Sequence, residues 1–153
     1  MALPVIELIA QNVLQTVLGI TTSTGANYTL TAQRHTKGGD LRRHLNAVII
    51  QEDPKEPPHE PNVNTYEWMQ TFGVCVWIDP PEEDPTPIDQ YINLVWADAH
   101  KAFVADRYRG GNALDTTIKP PQIVSKEAAG MDAVIINVEV NYRTAETDPC
   151  LRV

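Results

Sequence analysis

Apolar residues recur near a 3.6-residue period over 5–18, where Val5, Ile6, Ile9, Val13, Leu14, Val17 and Leu18 share one side. That spacing predicts an amphipathic helix, with Pro4 near its start and Gly19 as its stop. A two-residue alternation follows, Tyr28, Leu30 and Ala32 against Thr29, Thr31 and Gln33, which suits a half-buried strand. LNAVIIQ (45–51) reads as a second strand, apolar enough to be covered on both faces. The longest alternation runs from Tyr66 to Ile78, with six of the seven even positions apolar. At ~3.3 Å per residue it would span about 43 Å, more than a small sheet is wide. Either Gly73 marks a bulge or one end projects as half of a hairpin arm, and the arm is the favoured reading.

A second helix is expected after Thr86, which can act as N-cap, with Pro87 in the first helical position and Asp89 as a capping-box acid. Ile88, Ile92, Val95, Ala99 and Phe103 form its apolar stripe, and Gly110-Gly111 closes the region. Pro120-Pro121 allows KPPQIVSKE only a short edge strand. The last strand is a clean alternation, Val134, Ile136, Val138, Val140 and Tyr142 facing one way and Asn137, Glu139, Asn141 and Arg143 the other. Residues 144–153 show no pattern and are expected to be a flexible tail. The predicted fold is α+β: a mostly antiparallel sheet of four to five strands with two main helices on one face, in one domain spanning 1–153.

Composition narrows the class. Hydrophobic residues make up 42% and charged residues 21% of 153, which excludes wholesale disorder. No apolar run approaches the ~18 residues of a membrane span, and the start MALPVIELIAQ lacks a basic region and carries Glu7, unlike a secretory signal. A formal charge of −8 argues against a general nucleic-acid binder, whose affinity would come from Lys and Arg on phosphates.

The charge is unevenly spread. EDPKEPPHEP (52–61) and DPPEEDPTPID (79–89) hold eight of the twelve prolines and nine of the twenty acids against the single base Lys55. Proline stiffens such loops and like charges keep them solvated, so Glu52, Asp53, Glu56, Glu82, Glu83 and Asp84 are candidates to face a partner or line an acidic channel. Arg34, Lys37, Arg42 and Arg43 form one basic stretch, a candidate contact with the acidic loop of another copy. Catalytic signatures are missing: no phosphate-binding loop, no G-x-S-x-G and no CxxC occurs. His35, Asp40 and His44 could in principle ligate a metal, as in a small metal-dependent hydrolase, but a solvated polar turn is the favoured reading. Neither Cys75 nor Cys150 has a neighbour that would make it a nucleophile. The expectation is a protein that is not an enzyme and uses no cofactor and no metal.

The second half resembles a known family. A long strand ending in VWIDP is followed by an acidic proline loop and a helix opening on Thr-Pro-Ile-Asp, with Ile88, Ile92 and Val95 on its stripe. The chain closes with Val138, Val140, Tyr142, Arg143 and Thr144, then Asp148-Pro149. With an N-terminal helix and two strands ahead of it, this order is similar to the tail terminator (minor tail, tail-completion) proteins of long-tailed bacteriophages, prophages and gene-transfer particles. The resemblance implies a structural protein in the virion, at the head-tail junction, present in host cytoplasm during assembly. It implies a homo-oligomeric ring, commonly a hexamer, on the head-proximal end of the tail tube. That ring ends tube growth and offers a surface to the head-tail connector or neck protein; DNA only passes through it, and no membrane is involved. A head-side neck or head-completion protein is the alternative within the same particle.

Overall fold

The computed structural model describes residues 2–35, 46–55, 64–125 and 131–153. Helix α1 spans Val5–Leu18 and buries Val5, Ile9, Val13 and Val17 of the predicted stripe together with Ala10; Ile6 and Leu14 are half-buried at its margin, and Leu18, expected on the stripe, is exposed. Gly19 closes it by donating its N–H to the Gln15 carbonyl at 3.0 Å. A 3-10 turn at Thr22–Thr24 leads to β1 (Thr31–Arg34). Then come β2 (Asn46–Gln51), β3 (Thr65–Ile78), α2 (Ile88–Ala105), β4 (Asp115–Ile118), β5 (Gln122–Val124), β6 (Asp132–Ala145) and β7 (Asp148–Arg152).

The seven strands among the described residues form one sheet in the order β1-β2-β3-β6-β4, with β5 and β7 also paired to β6. The α+β class expected from the sequence holds. The sheet is larger than the expected four to five strands, and it is mixed, because β1 runs parallel to β2. The antiparallel expectation rested on consecutive strands being joined by short links, whereas eleven residues, 35–45, separate β1 from β2. Both helices lie on the face made by the even residues of β3 and β6: Phe72, Val74, Val76 and Ile78 join Val134, Ile136, Val138 and Val140 in one core cluster with α1 and α2.

Strands β3 and β6 pair without interruption through 14 residues each, from Thr65↔Ala145 to Ile78↔Asp132. Gly73 sits opposite Asn137 in regular register, so it is not a bulge. Strand β2 stops opposite Phe72, and β3 continues past it toward Thr65; the chain leaving β2 still meets it there, Lys55 and Met69 exchanging backbone hydrogen bonds. Gln70, the one polar residue among the even positions, is fully buried there. Its amide donates to the carbonyls of Glu52 and Thr71 and so holds the chain leaving β2 against the ladder.

Three local expectations differ. The N-cap of α2 is Pro87, not Thr86; the Thr86 N–H instead donates to Asp84 Oδ1 at 2.9 Å, so the acid in the loop organises the helix start. Strand β4, with two threonines and one apolar residue, has too little alternation to stand out. Pro120-Pro121 divides the edge into β4 and β5, since neither proline can donate to the β6 ladder. Residues 144–153 are not patternless in space: β7 folds back on β6, Thr144 pairing with Arg152 and Ala145 with Asp148. The Asp148 side chain accepts the Cys150 N–H at 2.8 Å, which fixes the start of the return strand.

The end of α2 is held by a buried cation. Arg109, Gly110 and Gly111 take φ of 49°, 67° and 85° in succession, a left-handed run in which two of three residues are glycine. This turns the Arg109 side chain inward, where it is 0% exposed. Its Nη2 donates to the carbonyls of Phe103 and Asp106, left open at the helix end, and Nη1 to Asn12 Oδ1 at 3.2 Å and Thr16 Oγ1 at 3.0 Å on α1. Burial pushes the guanidinium pKa down, opposed by Asp106. The substitution Arg109→Met removes all four bonds and is expected to lower unfolding free energy by about 3 kcal/mol. Arg107→Met, which loses only an exposed pair with Asp115, should cost under about 1 kcal/mol; urea denaturation of both variants checks the contrast.

Candidate interaction surfaces

The 79–89 loop is stiff and fixed. Its prolines restrict the backbone, Asp84 N–H closes a turn onto the Pro81 carbonyl at 2.9 Å, and the Asp84 carboxylate accepts from the Thr86 N–H and from the Tyr91 hydroxyl on α2. Tyr91 stacks on Tyr28, ring centroids 5.0 Å apart. Two turns further along α2, Asp98 accepts from the N–H of Asn27 at 2.9 Å, its Nδ2 at 2.8 Å and the N–H of Tyr28 at 3.3 Å. One face of α2 thus pins both the turn before β1 and the acidic loop. Sequence reading places Asp84 among solvated acids that face a partner or line a channel, not in a helix-fixing role, and does not single out Asp98. The available signal was a carboxylate at position 98, seven residues after Tyr91 and so on the same side of the helix.

Behind this loop lies a groove of about 410 Å³. Ile78, Pro80, Pro81, Ile88 and Met131 supply its apolar lining, and Asp79, Glu82, Asp84 and Asp132 its carboxylates; no Lys or Arg among the described residues lines it. Glu82 and Glu83 are exposed at the loop tip. Glu52 and Asp53 are exposed too, but near Thr71, seven residues back along β3. At ~3.4 Å per residue that is about 24 Å from Ile78. Among the described residues, Glu52 and Asp53 therefore stand apart from Glu82 and Glu83. Glu56 lies outside the described residues.

Of the basic stretch only Arg34 is described; Lys37, Arg42 and Arg43 lie outside the described residues. Arg34 Nη1 meets Glu7 Oε1 at 2.7 Å, half-exposed, and holds the Glu7 carboxyl below its usual range. The hypothetical metal set cannot be assembled from described atoms: His35 is exposed and donates its N–H to the Ile49 carbonyl, whereas Asp40 and His44 lie outside the described residues. Among the described residues no group of three His, Cys, Asp or Glu side chains is placed to hold a metal. Cys75 is half-buried on the sheet face away from the helices, where burial pushes its thiol pKa up. Cys150 also has a free thiol.

The residues that carried the family resemblance are brought together by the β3–β6 ladder. Val138 and Val140 are fully buried and Tyr142 is 6% exposed, all on the helix side. Thr144 Oγ1 accepts the Trp68 indole N–H at 3.2 Å, and Arg143 on the opposite face pairs with Glu67 at 3.0 Å. Asp148 and Pro149 open β7. Near this end a second hollow, of about 170 Å³, is lined by Gly111, Asn112, Ala113, Leu114, Arg143, Arg152 and Val153. No carboxylate side chain is among the lining residues, and Arg143 reaches Glu67 outside them. Arg152 donates to the Gly111 carbonyl, so β7 is tied to the turn that follows α2.

The hydrogen bond to Asp84 and burial together push the Tyr91 hydroxyl from 10.0 up to about 12. A raised tyrosine pKa means that the neutral form is favoured by folding; its contribution is complete below pH ~10 and is lost as pH rises toward about 12. Tyr91→Phe should remove that part of the alkaline loss and loosen the loop at neutral pH. Hydrogen exchange at Asp84 and Thr86 is expected to quicken, and a loop equally protected in both proteins would contradict the clamp. No protein-family model matches this chain, and no curated protein matches it.

Proposed function

We propose that the chain is a tail terminator: a non-catalytic subunit that forms a ring, of six copies, on the head-proximal end of a phage-type tail tube. The ring stops addition of tube subunits and presents its other face to the head-tail connector. The observation that carries this reading is the 14-pair β3–β6 ladder, which runs past β2 and bears at its far end the Tyr142-Arg143-Thr144 and Asp148-Pro149 residues of the resemblance. Each of those side chains serves shape. Tyr142 packs in the core, Arg143 and Thr144 tie strand to strand, and Asp148 starts the return strand. Capping a polymer needs such a rigid profile and requires no bond to be made or broken.

In this reading Arg34, Lys37, Arg42 and Arg43 contribute to contact between copies, and Glu52, Asp53 and Glu56 keep the bore acidic, so that DNA passes without its phosphates being held. The groove behind the 79–89 loop faces a protein partner. The test is genetic. Particles made without the chain should carry tail tubes of unregulated length that fail to join heads. Normal tails, firmly attached, would overturn the proposal.

A further inference from the structure

The two hollows lie at opposite ends of the same ladder. The acidic groove adjoins Ile78 and Asp132, the last β3–β6 pair, whereas the arginine hollow adjoins Arg143, which pairs with Glu67. Eleven residues of β6 separate Asp132 from Arg143, a contour of about 37 Å at ~3.4 Å each. One hollow therefore cannot serve the other within a single copy.

Their chemistry is complementary. The groove has an apolar lining, with Ile78, Pro81 and Met131, and a rim that includes Asp79 and Glu82. Leu114 and Val153, which line the other hollow, are 38% and 55% exposed, and Leu151, next to Arg152 in the chain, is 56% exposed. Arg143 and Arg152 accompany them. Arginine is enriched at interfaces, and the exposed apolar side chains beside it supply area to bury. The acidic loop is prefixed by the Asp84 bonds and its prolines, so seating a partner there costs little ordering.

We propose that the β6–β7 end of one copy docks in the 79–89 groove of the next, with Leu151 and Val153 against its apolar lining and Arg152 facing Asp79 and Glu82. The contact is head-to-tail, because the two surfaces differ, and it propagates from copy to copy until the rotation closes a ring. It deepens the ring reading, on which it rests, by naming the two surfaces that meet. It also gives the 79–89 loop to the neighbouring copy and not to the bore.

A charge-exchange experiment tests the pairing. Arg152→Glu and Glu82→Arg are made separately in the full chain, and sedimentation velocity is followed across concentration at low and high salt. Each variant alone should self-associate about tenfold or more weakly than the natural chain, because like charges then meet at every contact. An equimolar mixture should recover natural association. Every contact in an alternating assembly is again Arg against Glu. Leu151→Ser, an exposed position that leaves the Arg152 bond to Gly111 in place, should weaken association and should not be rescued by Glu82→Arg. Far-ultraviolet circular dichroism confirms that each variant is folded. Either charge variant assembling like the natural chain, a mixture that stays as weak as its parts, or a natural chain that remains monomeric throughout overturns the pairing. Assemblies that persist unchanged in both variants leave the ring reading standing and remove only this contact; the tail-length test above judges the ring reading separately.

Discussion

Fourteen uninterrupted residue pairs between β3 and β6 set the geometry of everything else in the molecule. Because side chains alternate along a strand, a slip of one residue would turn Phe72, Val74, Val76 and Ile78 toward solvent and bring Cys75 and Trp77 inward. The apolar face so fixed is what α1 and α2 cover, and it is why both helices stand on one side. Strand β2 extends the sheet on one flank, whereas β4, β5 and β7 share the other edge of β6 in succession. The length of the ladder also separates the two hollows, so the same constraint that specifies the core makes the two ends of the molecule unlike.

Polar contacts do the work of orientation. Arg109 joins the end of α2 to α1 through carbonyls, an amide and a hydroxyl, with no carboxylate within its hydrogen bonds. Asp84 and Asp98 play the matching part near the start and middle of α2, fastening the acidic loop and the turn before β1. A buried charge with an incomplete set of partners is costly, which makes each of these contacts selective for one arrangement of loops. They fix the direction of connections that proline stiffens and glycine lets turn, and so give these surfaces a defined shape.

Much of this was legible in the sequence where periodicity was long. The α1 stripe predicts Val5–Leu18 as observed, and the alternations at Tyr66–Ile78 and Val134–Arg143 identify the two ladder strands. Short elements escaped because their evidence lies in the partner: β4 and β7 carry little alternation and exist by pairing with β6. The parallel start of the sheet was equally hidden, since direction depends on where a connection goes and not on strand composition. For the surfaces, charge and proline content pointed to the 79–89 loop, but the clamp on Asp84 and the arginine hollow arise from contacts between residues far apart in the chain. Arg109, an ordinary surface residue by type, is buried because the following glycines permit the turn that carries it inward.

The ladder thus gives the molecule two unlike ends, one acidic and one carrying arginines. The most direct measurement is electron microscopy of growing tail tubes to which the purified chain is added. The account predicts one ring of density at a single end of each tube and no further lengthening once it is present. Tubes that keep growing with the chain absent from their tips, or coated along their sides, would contradict it.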